Sequence, residues 1–143
     1  MIQTAIIGYG LSGQIFHGAL LETLPGFNLH TVVTSDPVKA SLARAQHPQV
    51  NVVSDPDTML ADDNINLVVV STPNTHHHPL AKKALLSGKN VIVEKPFTIT
   101  SEEAEDLINT AKDTGLMPTV YHNRRYDSDF LTLEEIINSG ELG

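Results

Sequence analysis

With 143 residues, the chain suits one domain with a substantial hydrophobic core and leaves little room for a second. Its formal net charge of -8 argues against non-specific nucleic-acid binding, which needs a basic face, but allows a local basic pocket for a phosphorylated ligand. It contains no cysteine, which excludes a disulfide framework, a thiolate metal site and a cysteine nucleophile.

The chain alternates short apolar runs with amphipathic stretches, the pattern of βαβ units and a parallel sheet. Met1-Ile2-Gln3 leads straight into an apolar strand pattern at Thr4-Ala5-Ile6-Ile7, without the basic and apolar regions of a secretory leader. A helix is expected from Leu11 to about Leu24, ended by Pro25-Gly26, then a second strand over Leu29 to Val33. Asp36-Pro37 reads as an N-cap with proline at the first helical position, opening a helix to about Ala45. Val50 to Val53 is a third strand, and Asp55-Pro56 opens a short helix ending near Ala61.

Leu67-Val68-Val69-Val70 is apolar on both faces, as a central parallel strand must be. A helix after Pro79 runs through Leu86 and stops at Gly88, and Asn90 to Val93 is the fifth strand. Thr100-Ser101-Glu102-Glu103 is a capping box for a helix to about Thr114, followed by a sixth strand at Thr119-Val120-Tyr121. The last stretch, Asp127 to Asn138, is amphipathic. The fold class is α/β, a doubly wound, mostly parallel six-stranded sheet. No apolar run approaches the roughly 20 residues that span a bilayer, so a cytoplasmic location with no membrane partner is expected.

Three segments carry chemistry. Gly8, Gly10 and Gly13, in Gly8-Tyr9-Gly10-Leu11-Ser12-Gly13, lie between a strand and a helix. In that context the first glycine permits a tight turn, the second admits a pyrophosphate, and the third allows close helix–strand packing. The loop, Leu11 and Ser12 included, then presents phosphates to the positive end of a helix. Thr34 lies 21 residues past Gly13, where an NAD site usually carries an acidic residue for the ribose hydroxyls. Thr34 and Ser35, with Lys39 one turn on, suit a 2′-phosphate instead and favour NADP, with NAD the other possibility.

The second segment, Ser71-Thr72-Pro73-Asn74-Thr75-His76-His77-His78, follows the buried fourth strand and is expected to line the cofactor. Adjacent histidine side chains diverge, so no metal is expected there. One histidine is expected to face the site. The third segment is Val93-Glu94-Lys95-Pro96-Phe97. A lysine at a parallel-strand terminus beside a cationic nicotinamide is poorly placed for its own charge and can exchange a proton with a substrate hydroxyl.

In order and spacing, these segments resemble the Gfo/Idh/MocA family of NAD(P)-dependent oxidoreductases. The resemblance continues through Phe16-His17-Gly18 and Tyr121-His122-Asn123-Arg124-Arg125, and looks most like the NADP-dependent scyllo-inositol dehydrogenase branch. It implies a dehydrogenase acting on a sugar or cyclic polyol, with Lys95 as the catalytic lysine and Glu94 contacting the nicotinamide ribose. It implies that Thr72, Pro73, Asn74 and His77 pack along the cofactor, that Asn123 and Arg124 lie near its nicotinamide end, and that the Lys95-Pro96 bond is cis. Family members continue into a second α/β domain that covers the nicotinamide, supplies further catalytic residues and forms the oligomer interface. Residues 1–122 would then be the dinucleotide-binding domain and 123–143 a connecting segment and helix leading to that missing domain, through which alone a homo-oligomer would form. A fragment of this kind would bind cofactor weakly and turn over negligibly. Two rival readings remain. One is a stand-alone dinucleotide sensor or partner-binding module, which would have no need of Lys95; the other is an imine or tetrapyrrole reductase of the same family.

Overall fold

The computed structural model describes residues 1–143. Strands β1 (Ile2–Ile7), β2 (Phe27–Val33), β3 (Asn51–Val53), β4 (Leu67–Val70), β5 (Asn90–Val93) and β6 (Pro118–Val120) form one sheet in the order β3-β2-β1-β4-β5-β6. Every neighbouring pair is parallel. The connections carry helices α1 (Ala19–Thr23), α2 (Pro37–Gln46), α3 (Pro56–Leu60), α4 (His77–Leu86) and α5 (Ser101–Thr114); α6 (Ser128–Ser139) follows β6. No helix is long and apolar enough to cross a membrane.

A parallel sheet covered on both faces buries alternate residues of a strand in opposite layers. Val68 and Val70 join Ala5, Ile7, Leu85 and Leu107 in one core layer, and Val69 joins Ile6, Tyr9 and Val32 in the other. That is why β4 is an unbroken apolar run. The helix starts follow local capping chemistry. Asp36 accepts from the Val38 and Lys39 N–H groups at 2.9 and 3.2 Å, and Asp55 accepts from that of Thr58 at 3.1 Å. Thr100 accepts from the Glu103 N–H at 3.3 Å, while Glu103 reaches back to the N–H of Ile99, one residue before the cap.

The sheet places its functional edge through register. Each ladder runs one residue past its strand. Gly8 donates to the Val33 carbonyl, Thr34 to Val53, Ser71 to Ile7, Glu94 to Val70 and Tyr121 to Val93. The three sequence segments therefore meet along the carboxyl ends of β1, β4 and β5, where the strand order reverses direction at β1 and β4.

Several boundaries differ from the sequence expectation: β1 and β2 start two residues earlier, at Ile2 and Phe27, β3 starts one later, at Asn51, and three differences bear on the site. The first helix opens as a π-helical segment, Ser12–Gly18, before turning into α1. α4 starts at His77, after a single 3₁₀ turn at Asn74–His76, and includes Pro79. Proline is tolerated there because N–H groups in a first turn have no intrahelical acceptor to lose. β6 spans Pro118–Val120, and the expected member Tyr121 keeps its ladder bond to Val93 just beyond it.

Candidate cofactor and active site

Gly8 leaves β1 at φ +93°, a left-handed conformation that an L side chain rarely adopts. A Cβ there would strike the Ser71 carbonyl, and a Cβ on Gly13 would strike the carbonyl of Gly8. These two glycines hold the turn, the helix and the loop after β4 in contact. Gly10 differs, because a Cβ there would meet no protein atom within 4 Å. The open space lies where a pyrophosphate needs to approach, and the N–H groups that begin the following helical winding have no intrahelical acceptor. Leu11 forms the exposed rim of this loop.

Across from Gly8, the hydroxyl oxygens of Ser71 and Thr72 are buried without a hydrogen-bond partner. Buried polar atoms are normally paired, so these two await a donor or acceptor from outside the chain. Together with the open cradle at Gly10, they fit a dinucleotide lying along this edge. Pro73 and Asn74 continue the loop from Thr72 and are exposed.

The three histidines go to three different places. His76 is exposed, His77 is fully buried, and His78 pairs with Asp106 at 2.7 Å, beside Lys82 at 2.8 Å from the same carboxylate. The ring nitrogens of His77 lie 2.8 Å from the Pro96 carbonyl oxygen and 2.9 Å from that of Thr72. His77 has no exposed surface and ties the loop after β4 to the loop after β5.

The loop after β5 brings Glu94 and Lys95 to a cleft of about 630 Å³, lined also by Phe16, Pro96, Tyr121, Asn123 and Arg124. The Lys95-Pro96 bond is cis. Lys95 is exposed, and its only hydrogen bond is from its backbone N–H to Glu94 Oε2 at 3.2 Å. Arg124, in the 3₁₀ turn Asn123–Tyr126, pairs at 2.9 Å with Asp127, the residue that follows that turn.

Glu94 itself turns inward. Its Oε1 accepts from the Ser12 hydroxyl and from His17 Nε2, the latter at 2.9 Å. Burial pushes the Glu94 carboxyl up, but the hydrogen bonds from Ser12 and His17 outweigh it and hold it below the usual carboxylate range. Burial lowers His17 from its ordinary value, against the pull of Glu94. The pair is thus a carboxylate receiving an N–H from a neutral imidazole. Tyr121 packs on the His17 ring at 4.3 Å between centroids, and its own hydroxyl is pushed up by burial and by Glu94.

At the far end, Thr34 and Ser35 line a hollow of about 290 Å³ together with Arg44. Lys39 is not among its lining residues; its ammonium lies 3.7 Å from Asp36. Three residues of this edge escaped the reading of single motifs. Arg44 comes from a later turn of α2, while His17 and Tyr121 were visible only as parts of longer resembling stretches. No local signal in the sequence marks His17, because its neighbours Ile15 and Phe16 are exposed while His17 itself is buried.

Residues 2–122 match the family model described as oxidoreductase family, NAD-binding Rossmann fold, of the Gfo/Idh/MocA group. The chain is 46% identical over 99% of its length to the uncharacterized oxidoreductase YdgJ of Escherichia coli, of which it covers 40%. It is 39% identical to scyllo-inositol 2-dehydrogenase (NADP(+)) IolW of Bacillus subtilis, over 99% of this chain and 38% of that protein. The crystal structure of an oxidoreductase from Bacillus cereus superimposes with a TM-score of 0.89 at 34% identity, over 100% of this chain and 41% of the other. The chain thus spans about two fifths of the length of the relatives it matches. With the phosphate-type glycine loop, the doubly wound sheet and the family match in agreement, this chain belongs to the Gfo/Idh/MocA oxidoreductase family, as its NAD-binding Rossmann-fold part.

Proposed function

We propose that the chain forms the cofactor-binding half of an oxidoreductase that moves a hydride between NADP(H) and a hydroxyl or ketone carbon of a sugar or cyclic polyol. The observation that carries this reading is Lys95. It sits one residue past the glutamate that ends the β5 ladder, on a cleft of about 630 Å³, with no partner for its ammonium. Its place at the carboxyl end of a central strand, on the cleft at the cofactor edge, is what suits it to move a proton.

The nicotinamide, when bound, supplies or accepts the hydride. The residues of the chain do the rest. Gly8, Gly10, Leu11, Ser12 and Gly13 seat the pyrophosphate, and Thr72, Pro73 and Asn74 line its path. Glu94 holds the Lys95 backbone and accepts from the nicotinamide ribose. Lys95 Nζ takes the hydroxyl proton as an alcohol is oxidised and returns it in the reverse direction, and Asn123 and Arg124 border the same cleft. Thr34 and Ser35 hold the 2′-phosphate of NADP, a choice supported by the hollow they share with Arg44 and by the name of the Bacillus subtilis relative. Lys39 remains within one turn of them. Residues 123–143 lead toward a second domain that covers the cleft. The apolar side chains Phe130, Leu131, Leu133 and Ile137 of α6 stand 45–57% exposed, as a helix would before such a domain packs on it.

The decisive experiment is an activity screen of the full-length protein on inositols and hexoses with both cofactors, run beside Lys95→Ala. Turnover of Lys95→Ala is expected to fall about 10²–10⁴-fold, the usual worth of a positioned acid/base, with cofactor affinity nearly intact. Unchanged turnover removes Lys95 from the chemistry. Tighter binding of NAD than of NADP overturns the role given to Thr34 and Ser35.

A further inference from the structure

In an α-helix, five residues advance about 500°, which would leave Ser12 and His17 roughly 140° apart on the helix surface. In the π-helical segment Ser12–Gly18 the bonding runs from residue i to i+5, and the wider winding brings His17 to within about 50° of Ser12, on the same face. The Gly18 position shows the same winding, because a Cβ there would lie 3.1 Å from the Gly13 carbonyl oxygen. The wider turn has a consequence across the sheet edge. Ser12 and His17 both donate to one oxygen, Oε1 of Glu94, which belongs to the loop after β5.

A carboxylate offers about four acceptor positions, two on each oxygen. Oε1 is filled by Ser12 and His17, whereas Oε2 receives only the Lys95 N–H at 3.2 Å. The free acceptor capacity of Glu94 is therefore on Oε2, and Glu94 borders the cleft that contains Lys95. Tyr121 closes the other side of the His17 ring and donates its hydroxyl to the Phe16 carbonyl at 3.2 Å, so the imidazole has little room to swing away.

We propose that His17 is a positioning residue for the nicotinamide half of the bound dinucleotide: by fixing Glu94 Oε1, the π-turn leaves Oε2 aimed to accept from a ribose hydroxyl. Resting as it does on the cofactor-binding reading above, this assigns the widened turn a purpose that the phosphate cradle alone does not require. An ordinary α-helical start would seat a pyrophosphate equally well. His17 touches neither cofactor nor substrate and acts through Glu94.

The test separates the two halves of the cofactor. Affinities of the full chain, of His17→Phe and of His17→Gln are measured for NADPH and for 2′,5′-ADP, which lacks the nicotinamide ribose, and likewise for NADH and ADP. His17→Phe keeps ring volume but loses the donor, and is expected to bind NADPH about tenfold more weakly while binding 2′,5′-ADP unchanged. His17→Gln offers an amide N–H to Glu94 and is expected to recover most of the loss. Equal weakening of both ligands, unchanged NADPH affinity, or failure of Gln to rescue would each overturn the proposal. A second readout needs no variant, since the His17 ring resonances of the wild-type protein should shift on adding NADPH and stay put on adding 2′,5′-ADP. Identical shifts with the two ligands also overturn it. A wild-type chain that binds none of the four ligands instead sinks the cofactor-binding reading itself, and this inference with it.

Discussion

At the scale of single residues, the glycines of the first loop separate into two physical classes. Gly8 and Gly13 are required by the fold, because any Cβ would collide with backbone that cannot yield. Gly10 is under no such constraint from the chain, because a Cβ there would meet no atom within 4 Å. Gly13→Ala is therefore expected to cost more than about 2 kcal/mol of stability, as overpacking against backbone does, and to abolish cofactor binding along with it. Gly10→Ala is expected to leave stability within about 1 kcal/mol of wild type, yet to weaken NADPH binding at least tenfold. Denaturant unfolding and ligand titration on the same two variants check this. Loss of stability in Gly10→Ala would mean that the loop is tighter than the open space around it indicates. The sequence pattern marks all three glycines alike, and only the packing tells them apart.

Among the secondary-structure elements, the local signals for where helices begin are reliable because capping involves residues two or three apart. Asp36, Asp55 and Thr100 each accept the N–H groups their positions imply. Asp36→Ala removes both acceptor contacts at the start of α2 and is expected to destabilise the chain by about 1 kcal/mol, measurable as a shifted denaturant midpoint with unchanged slope. A change below a few tenths would mean that Pro37 alone sets the start of the helix. The π-turn was not legible in this way. Its sequence, Ser12-Gly13-Gln14-Ile15-Phe16-His17-Gly18, carries no local mark of i→i+5 bonding, and its contacts to Gly8, Glu94 and Tyr121 come from distant parts of the chain.

For the whole molecule, the buried polar network couples stability to pH. His17 is lowered in the fold from its ordinary 6.5, so the folded state resists protonation there while the unfolded chain accepts it. Stability is then complete at higher pH and begins to fall as pH drops below 6.5. Glu94 is lowered from 4.5, so its contribution is present above that value and is lost as pH falls through its folded value. Asp36 and Asp106, held low by backbone and side-chain donors respectively, act in the same direction, but both are partly open to water, which screens their contribution. Thermal midpoints are expected to decline in two stages on acidification, and His17→Gln is expected to flatten the first. An identical decline between pH 7 and 5 in both proteins would show that His17 does not carry it.

The fold class, the six strands, the phosphate loop and the placement of Lys95 after the fifth strand could all be read along the chain. Each rests on neighbours in sequence: alternation of faces, a cap and its N–H, a strand followed at once by glycines. The site's wiring could not be read so. Glu94 meets Ser12 across 82 residues and His17 across 77, and His77 meets the Pro96 carbonyl across 19. Periodicity reveals which side of a helix is buried but not which atom waits there. In the same way, the winding of α2 brings Arg44 to the hollow lined by Thr34 and Ser35, a placement that the spacing of those residues does not reveal. Strand register in a parallel sheet brings such distant residues to one edge, and register is a property of the assembled core rather than of any one segment.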